Sequence, residues 1–452
     1  MASIGMDFLA PVPRHKLSSP NDTKREERYF VGKKPAHYNW GSGPAELDAH
    51  SLTKHAVLVE YLKRYFEQRT LNARARDRFR ITLVDGFCGG GAYFLKGSGE
   101  LVDGSPLRIL RAVEEAQALI NVGRYKPLAL DVQYIFVDRD SKAISHLREV
   151  LTQRGYGAAI GQTIHPICSE FALASESIVK AIHAHTPKSP TALFFLDQYG
   201  YTEVPAPIIQ SIFRQVRNAE IVLTFHVSSF GTYTNDELVQ RVSNSLRVDI
   251  RKHLGGRSIE DIKANDADWR RFIQGALYQG LVEGCDARYF TPFFIRGAGS
   301  NHGEYWLVHL SQHHRAQDVM KQVHWSHQNH FVHYGGAGLN MLAPHTMGFM
   351  QEFDGGFRFG EVARHSSDSA LVDQLGQHIR QSAKPQTVAA LFADTCNGSP
   401  ATADMYKAAL EKLIQSDSVV VFSDGGTKRH FARLIADNDI VEPSRQITLL
   451  PR

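Results

Sequence analysis

Short apolar runs alternate with helical patterns through the first half of the chain. Apolar runs at 81–84, 132–137, 163–168, 192–196 and 221–225 alternate with helically spaced apolar residues at 105–119, 141–152, 174–183 and 207–216. Runs that are apolar at consecutive positions predict strands buried on both faces, and the intervening helices predict a parallel sheet covered on both sides. A further helix is predicted at 51–68, before the first strand.

The strand pattern ends in a predicted hairpin. A mostly helical insertion at about 235–285 precedes two strand-like runs, 289–295 and 305–310, which flank a glycine-rich joint. Five parallel strands followed by an antiparallel hairpin are the strand sequence of Rossmann-like methyltransferases. We therefore expect an α/β fold with a mixed seven-stranded sheet over residues 48–334.

The two ends of the chain have other patterns. Residues 1–47 are polar and aperiodic, which predicts an N-terminal arm. Glycines concentrate at 335–365, a predicted linker. Helices are expected at 368–381, 386–394 and 402–415, and the apolar run 419–422 is followed by the turn residues DGGTKR. Three helices and a turn-tipped strand predict a small winged-helix domain over 366–452.

Composition is that of an ordinary globular protein. The 452 residues are 43% apolar and 22% charged, with a net charge of +4, which permits nucleic-acid binding without demanding it. The four cysteines are scattered, with no CxxC pair, so neither a disulfide framework nor a cysteine metal cluster is predicted. The sequence contains no signal pattern and no apolar run of about 18 residues, so we expect a cytoplasmic protein that does not enter a membrane.

Histidines crowd one segment, at His324, His327, His330 and His333. A metal site needs ligands that converge, whereas a spacing of three rotates around an α-helix by about 60° a step. We therefore predict no metal site, and a histidine surface facing solvent or nucleic acid.

Ligands of open parallel sheets bind at the carboxyl ends of the strands, so the residues that follow each strand are the candidates for chemistry. The first strand runs into VDGFCGGGAY at 84–93. Its glycines allow a sharp turn and close approach to a ligand, and Asp85 opens the loop. A plain tight turn remains the alternative, and no Walker motif is present.

The next two strand ends also carry acids. Asp138 follows the second strand, where a carboxylate accepts hydrogen bonds from ribose hydroxyls. The alternative is that Asp138 or Asp140 caps the helix that starts near Ser141. Glu170 and Phe171 follow the third strand, where adenine would donate to the acid and stack on the ring. A capped helix is again the alternative.

Asp197 follows the fourth strand and is succeeded by Gln198 and Tyr199. Asp197 would position a nucleophilic nitrogen and Tyr199 would stack on a base, with a structural turn as the alternative. His50 and Lys54 are one helical turn apart and would both face the glycine loop, with an exposed helix surface as the alternative.

These motifs together resemble the three-Cys-motif partner (TcmP) family. The resemblance covers about 48–325 and includes HSLTK at 50–54, the loop at 84–93, DGSPL at 103–107, FVD at 136–138 and FFLD at 194–197. It implies a methyltransferase-like Rossmann fold that binds S-adenosylmethionine. The methionine side would lie on the loop of Asp85, Gly86, Phe87, Gly89 and Gly91, and the ribose on Asp138. Asp197 and Tyr199 would lie beside the methyl group, and a three-cysteine-motif protein similar to radical-SAM enzymes would be the partner.

Gln198 departs from the family pattern, which favours proline after this acid. Proline would make the loop rigid, and its absence puts methylation of a base amino group in doubt. Two functions follow. The first is an S-adenosylmethionine-dependent methyltransferase acting on nucleic acid. The alternative is a catalytically inactive module of the same fold that recognises nucleic acid or a partner protein.

Overall fold

The computed structural model describes residues 40, 43–47, 49–71, 76–198, 203–226, 235–266, 269–295, 305–327, 331–333, 337–339, 357–382 and 384–444. All of them belong to one compact unit, 37–452. Its first half contains β1 (Ala45–Leu47), α1 (Ala49–Thr70), β2 (Arg78–Asp85), β3 (Ala92–Leu95), β4 (Leu101–Asp103), α2 (Ser105–Leu119), β5 (Ala129–Asp138), α3 (Ser141–Gln153), β6 (Ile164–Cys168), α4 (Phe171–His185), β7 (Thr191–Asp197), α5 (Ala206–Gln215) and β8 (Asn218–His226).

The second half begins with helices where the insertion was predicted. It contains α6 (Asp236–Leu246), α7 (Ile259–Asn265), α8 (Trp269–Cys285), β9 (Tyr289–Ile295), β10 (Tyr305–Ser311), α9 (His314–Ser326), β11 (Phe331–His333), β12 (Phe357–Arg358), α10 (Glu361–Ser382), β13 (Gln386–Thr387), α11 (Val388–Thr395), α12 (Ala403–Gln415), β14 (Val419–Phe422) and β15 (Ile440–Pro443).

The main sheet has the order β12-β11-β9-β10-β8-β7-β2-β5-β6. Strands β2, β5, β6, β7 and β8 are parallel, and β10 is antiparallel to both β8 and β9. The predicted mixed seven-stranded sheet is thereby confirmed, and the short strands β11 and β12 extend it at the β9 edge. Because β2 pairs with β5 on one side and with β7 on the other, the carboxyl ends of these three strands lie side by side.

Burial on both faces explains why the central strands are apolar at every position. In β7, Leu193 and Phe195 pack into one core, while Phe194 and Leu196 pack into the core on the opposite face. Side chains alternate between the faces of a strand, so a strand covered by helices on both sides needs apolar residues at consecutive positions.

One element lies where an N-terminal arm was predicted. Ala45–Leu47 form strand β1, which pairs in parallel with β3 in a separate small sheet. Trp40, Ala45, Leu47 and Tyr93 form a small core with Ala143 of α3. The other residues from 1 to 39 lie outside the described part of the chain. This short strand escapes prediction because three residues carry no readable period.

The C-terminal segment has the order of a winged helix, as predicted. Helices α10, α11 and α12 are followed by β14 and β15, and β13 completes a three-stranded sheet. Helix α10 begins at Glu361, seven residues before the predicted start, and most of the predicted linker lies outside the described residues. Among the described helices, none combines the length and the apolar character needed to cross a membrane.

Candidate functional site

Strand register brings three acids to one edge of the sheet. Asp85 pairs with Phe136 of β5 and with Phe195 of β7. Asp138 and Asp197 therefore lie two residues farther along their strands, about 6.6 Å beyond Asp85 at ordinary strand rise. The edge is stepped, with Asp85 at the bottom between two outer carboxylates.

The glycine loop is tied to both neighbouring strands by its backbone. Gly86 N–H donates to Phe195 O (2.8 Å), and Gly89 N–H donates to Asp138 Oδ2 (3.0 Å). Gly89 and Gly91 have positive φ angles of 58° and 83°, which side chains other than glycine rarely adopt. The turn is therefore built from the residues that sequence reasoning selected.

Close packing, in addition to φ, requires glycine in this loop. A Cβ at Gly86 would lie 2.6 Å from Leu196 Cδ2 and 2.9 Å from Phe171 Cδ2, and one at Gly90 would overlap the Trp40 ring. The ring of Phe171 is thus buried beneath the loop, and Phe87 is half-buried with its ring centre 6.3 Å away. Little of the Phe171 ring is therefore exposed for the adenine stacking that the sequence predicts.

The helix-cap alternatives separate clearly. Asp140, not Asp138, caps α3, because its side chain accepts from Lys142 N–H. Asp138 instead holds the loop, accepting from Gly89 N–H and, at 2.8 Å, from Asp140 N–H. Glu170 occupies the N-cap position of α4 without a side-chain cap bond, and it is exposed. A carboxylate oxygen accepts more than one hydrogen bond, so Asp138 and Glu170 both retain capacity for hydroxyl or amino donors.

Asp85 is a buried carboxyl group. It is 2% exposed, and its Oδ1 accepts from Phe87 N–H at 3.2 Å. Burial raises the pKa of Asp85 to about 7, against the opposing effects of Ser105 and of the Phe87 N–H, and the charges of Asp197 and Asp138 add to the rise. At neutral pH both the protonated and the ionised form of Asp85 are therefore populated.

Asp197 is held by α1. Lys54 Nζ donates to both of its carboxylate oxygens, at 2.6 and 2.8 Å, and Thr224 donates its hydroxyl to Oδ1. Burial raises the pKa of Asp197, but Lys54 and Thr224 outweigh it and keep the pKa below its usual value. The side chain of Asp197 is 42% exposed and that of Lys54 is 11% exposed, so Asp197 contacts Lys54 and is also partly accessible to solvent.

A narrow cleft lies between α1 and the tips of β2, β7 and β8, with about 40 Å³ of free volume. Its lining includes Lys54, His55, Asp85, Ser105, Asp197 and Thr224. His55 is 8% exposed, and its Nδ1 has no hydrogen-bond partner among the described residues. Burial, followed by the charges of Arg108 and Lys54, lowers the pKa of His55 to about 3, so the imidazole is neutral at pH 7. In the cleft that Asp197 also lines, His55 Nδ1 is therefore a buried nitrogen able to form a hydrogen bond with a ligand.

The segment after Asp197 is only partly described. Tyr199 lies outside the described residues, so its predicted place beside the methyl group stays a prediction. Gln198 is 2% exposed, and its Oε1 accepts from Glu203 N–H and Val204 N–H, each at 3.1 Å. The amide therefore anchors the far end of the loop, where the sequence suggested a loss of rigidity.

Sequence reasoning missed how α1 contributes to the site. Lys54 was expected to face the glycine loop, but it binds Asp197, 143 residues away in the chain. The side chain of His50 lies outside the described part. His55 and Thr224 carried no motif, and only tertiary packing brings them to the cleft. A buried polar group in an otherwise apolar helix face was the available signal for His55.

The predicted histidine surface is wrong for His324. This side chain is fully buried and stacks on Phe293. His327 is half-buried, and the side chains of His330 and His333 lie outside the described residues. Within the described part of the chain, no cluster of three or more histidine, cysteine or acidic residues has the arrangement of a metal site.

The architecture defines a methyltransferase-like Rossmann protein with a C-terminal winged helix. A family model described as "GMT-like wHTH domain" matches residues 348–426, a range that includes β12 and the elements from α10 to β14. A search of the curated proteins gave no match.

Solved structures similar to this chain share little sequence with it. Protein LPL1258 from Legionella pneumophila has 8% identity and a TM-score of 0.33, covering 61% of this chain and 91% of its own. The plantazolicin methyltransferase BamL has 12% identity and a TM-score of 0.25, covering 57% and 85%. The O-methyltransferase TomG from Streptomyces achromogenes has 12% identity and a TM-score of 0.25, covering 64% and 96%. Similarity at this level carries no argument about function, which has to come from the site.

Proposed function

We propose that this protein is an S-adenosylmethionine-dependent methyltransferase that acts on nucleic acid. The observation that carries the proposal is the stepped edge of the sheet, where the glycine loop, Asp138, Glu170 and Asp197 meet. The family match to a winged helix-turn-helix supports a nucleic-acid acceptor. When bound, the cofactor supplies an electrophilic methyl group on its sulfonium.

The residues of the edge have the donors and acceptors that such a cofactor needs. The loop 86–91 would lie against the methionine side, and Asp138 would accept from the ribose hydroxyls with the lone pairs that Gly89 and Asp140 leave open. Glu170 would accept from the adenine amino group, since its carboxylate does not cap α4.

Asp197 would orient the attacking nitrogen, with Tyr199 against the base. An amine that donates to Asp197 takes over the position now held by Lys54 Nζ, 2.6 Å from Oδ2. The neutral His55 offers a second hydrogen-bonding atom in the same cleft. Alignment of the nitrogen with the methyl group would supply much of the acceleration.

Thermal unfolding with and without S-adenosylmethionine tests the cofactor site. Stabilisation should follow RT ln(1 + [L]/Kd), about 2.7 kcal/mol at a ligand concentration of 100 Kd. Asp138→Ala should lose this stabilisation, whereas Asp140→Ala, which removes only the cap of α3, should keep it. No stabilisation of the parent protein at millimolar cofactor would refute the cofactor proposal.

Transfer of labelled methyl groups tests the reaction. Duplex DNA and RNA are offered as acceptors, and Asp197→Ala should abolish incorporation while leaving cofactor stabilisation in place. Membership of the TcmP family, a three-cysteine-motif partner similar to radical-SAM enzymes and a cytoplasmic location belong to the same proposal, supported by the motifs quoted above. Co-purification of the partner with the tagged protein checks the association.

The alternative is a binding module that transfers no methyl group. The observation that favours it is the pairing of Asp197, whose two oxygens both accept from Lys54 Nζ beside a cleft large enough for about one water molecule. Nucleic-acid binding that is indifferent to Asp197→Ala, with no label incorporated in any acceptor, would favour this reading.

A further inference from the structure

The turn that leads into α12 is covered by the Rossmann part of the molecule. Helix α12 is the third helix of the winged helix, the one whose N-terminal end enters the major groove in helix-turn-helix proteins. Its first N–H, of Ala403, donates to Asp318 Oδ1 of α9 at 2.7 Å. Trp325 Nε1, also on α9, donates to Pro400 O at 2.9 Å.

The same helix also closes over the start of this turn. Lys321 is fully buried and donates from Nζ to Cys396 O at 2.7 Å. Asn397 Nδ2 donates to Arg288 O at 2.9 Å, and Gln317 Nε2 donates to Asn397 Oδ1 at 2.9 Å. The turn 396–403 and the first amide of α12 are therefore covered by protein, so insertion of this end of α12 into a groove would require the joint to open.

The exposed face of α12 is poorly suited to phosphate. Asp404, Ala408, Lys412 and Gln415 are exposed along it, with Glu411 half-buried between them. The one further cation of the helix, Lys407, lies 3.6 Å from Asp437. Two acids and Lys412, which forms no ion pair with any described residue, give this face no positive charge in excess. Duplex binding, by contrast, depends on cations that neutralise phosphates.

The wing, residues 423–434, carries three cations, Lys428, Arg429 and Arg433, against one acid, Asp424. Lys428, His430 and Arg433 are exposed, and no described residue forms an ion pair with Lys428 or Arg433. Arg433 lies over the ring of Phe431, which is 50% exposed, with 5.7 Å between guanidinium carbon and ring centre. Exposed cations beside an aromatic ring are the groups that nucleic-acid surfaces combine.

Two of the acids near the wing accept hydrogen bonds from other parts of the protein, whereas Asp424, within the wing, is exposed. Glu411 Oε2 accepts from Ala432 N–H at 2.7 Å, and Asp439 is held by Arg429 at 2.8 Å. The first contact fixes the 3₁₀ turn Ala432–Leu434 against α12. Lys428 and Arg433 thus remain available to an outside anion, and the segment that carries them is anchored.

We propose that this protein grips the nucleic-acid backbone with its wing, through Lys428, Arg433 and Phe431, and does not insert the N-terminal end of α12 into a groove. The proposal rests on the proposed nucleic-acid function and assigns the surface that serves it. The occupant is a polyanionic phosphodiester backbone, in DNA or RNA.

The test is binding of a short duplex DNA, and of a duplex RNA of the same sequence, across a salt series. The variant Lys428→Glu/Arg433→Glu should weaken binding on the order of 50-fold at 0.1 M salt and reduce the slope of log K against log salt by about two, because two phosphate contacts are lost. The matched control, Lys188→Glu/Arg217→Glu, makes the same charge change at exposed positions just before the N-terminal ends of β7 and β8. It should leave the affinity and the salt slope almost unchanged.

A third variant, Ala408→Glu, separates the wing from the exposed face of α12. It should weaken binding less than threefold if the wing makes the contact. Strong binding by the parent protein that survives the wing reversal but fails in Ala408→Glu overturns the proposal and leaves the nucleic-acid function standing. Failure of the parent protein to bind either duplex overturns both. Thermal unfolding of each variant confirms that it is folded.

Discussion

The ionisation of Asp85 is set by its place at the bottom of the stepped edge. Its pKa rises from 3.8 to about 7 because it is buried, so between those values the folded protein keeps a proton that the unfolded chain has released. The folded state is then favoured at low pH, and its stability falls as pH rises from about 4 to 7. Ionisation of Asp85 therefore lowers the free energy of unfolding as the pH approaches and exceeds 7.

Replacing this carboxyl with an amide removes the pH dependence. We expect Asp85→Asn to be more stable than the parent protein at pH 8 by on the order of 3–4 kcal/mol and nearly equal to it at pH 4, since the amide oxygen can still accept from Phe87 N–H. Urea unfolding of both proteins at the two pH values measures the difference. An advantage of the same size at both values would contradict a raised pKa.

The pair of Lys54 and Asp197 has the opposite sign. The lowered pKa of Asp197 contributes stability that is present above about pH 4 and is lost as pH falls through the folded pKa. A double-mutant cycle with Lys54→Met and Asp197→Asn should give a coupling of about 1 kcal/mol at pH 7, a value reduced by the 42% exposure of the acid. The coupling should shrink toward zero as the pH is lowered from 7 through the folded pKa of Asp197. A constant coupling across this range would show that the contact is not ionic.

At the scale of elements, α9 joins the two parts of the molecule through its buried polar side chains. Asp318 of α9 accepts from Ala403 N–H, the first amide of α12, through Oδ1 and from Gln322 through Oδ2. Asp318→Ala should therefore cost about 1–2 kcal/mol and expose the first amides of α12, while Asp318→Asn retains an acceptor and should cost less. Hydrogen exchange at the first turn of α12 measures this, and equal exchange rates in the two variants would contradict the role of Oδ1.

Elements were predictable from the sequence where burial imposes a period. Predicted and observed bounds agree at 105–119 for α2 and at 419–422 for β14. In each segment the positions that are buried alternate with less buried ones at the period of the element, and this pattern is visible in the sequence. The start of α10 at Glu361 was missed because the glycines just before it mimic a linker.

The site was predictable only as far as strand ends reveal it. Asp85, Asp138 and Asp197 come together because the carboxyl ends of parallel strands always meet at one edge. Lys54 reaches that edge from a helix, and no local pattern encodes a contact over 143 residues. The role of Gln198 was likewise hidden, because its hydrogen bonds depend on how the loop returns to Val204.

At the scale of the whole molecule, the joint along α9 fixes the wing relative to the sheet that carries Asp197. Four side chains of this helix, Gln317, Asp318, Lys321 and Trp325, hydrogen-bond to residues 396–403. Nucleic acid gripped by the wing would then be presented to the cleft at a fixed position, and positioning of this kind acts on the rate of reaction more than on affinity.

Loosening the joint should therefore separate binding from reaction. Trp325→Phe removes the bond to Pro400 O and keeps an aromatic side chain, at a cost of about 1–2 kcal/mol in stability. We expect kcat for methyl transfer to fall by about tenfold while the Kd for duplex stays within twofold, because the wing itself is untouched. The wing variant Lys428→Glu/Arg433→Glu should do the reverse, raising Kd and KM with little change in kcat. Equal losses of kcat and affinity in both variants would mean that the joint serves folding alone, with no part in presenting nucleic acid to Asp197.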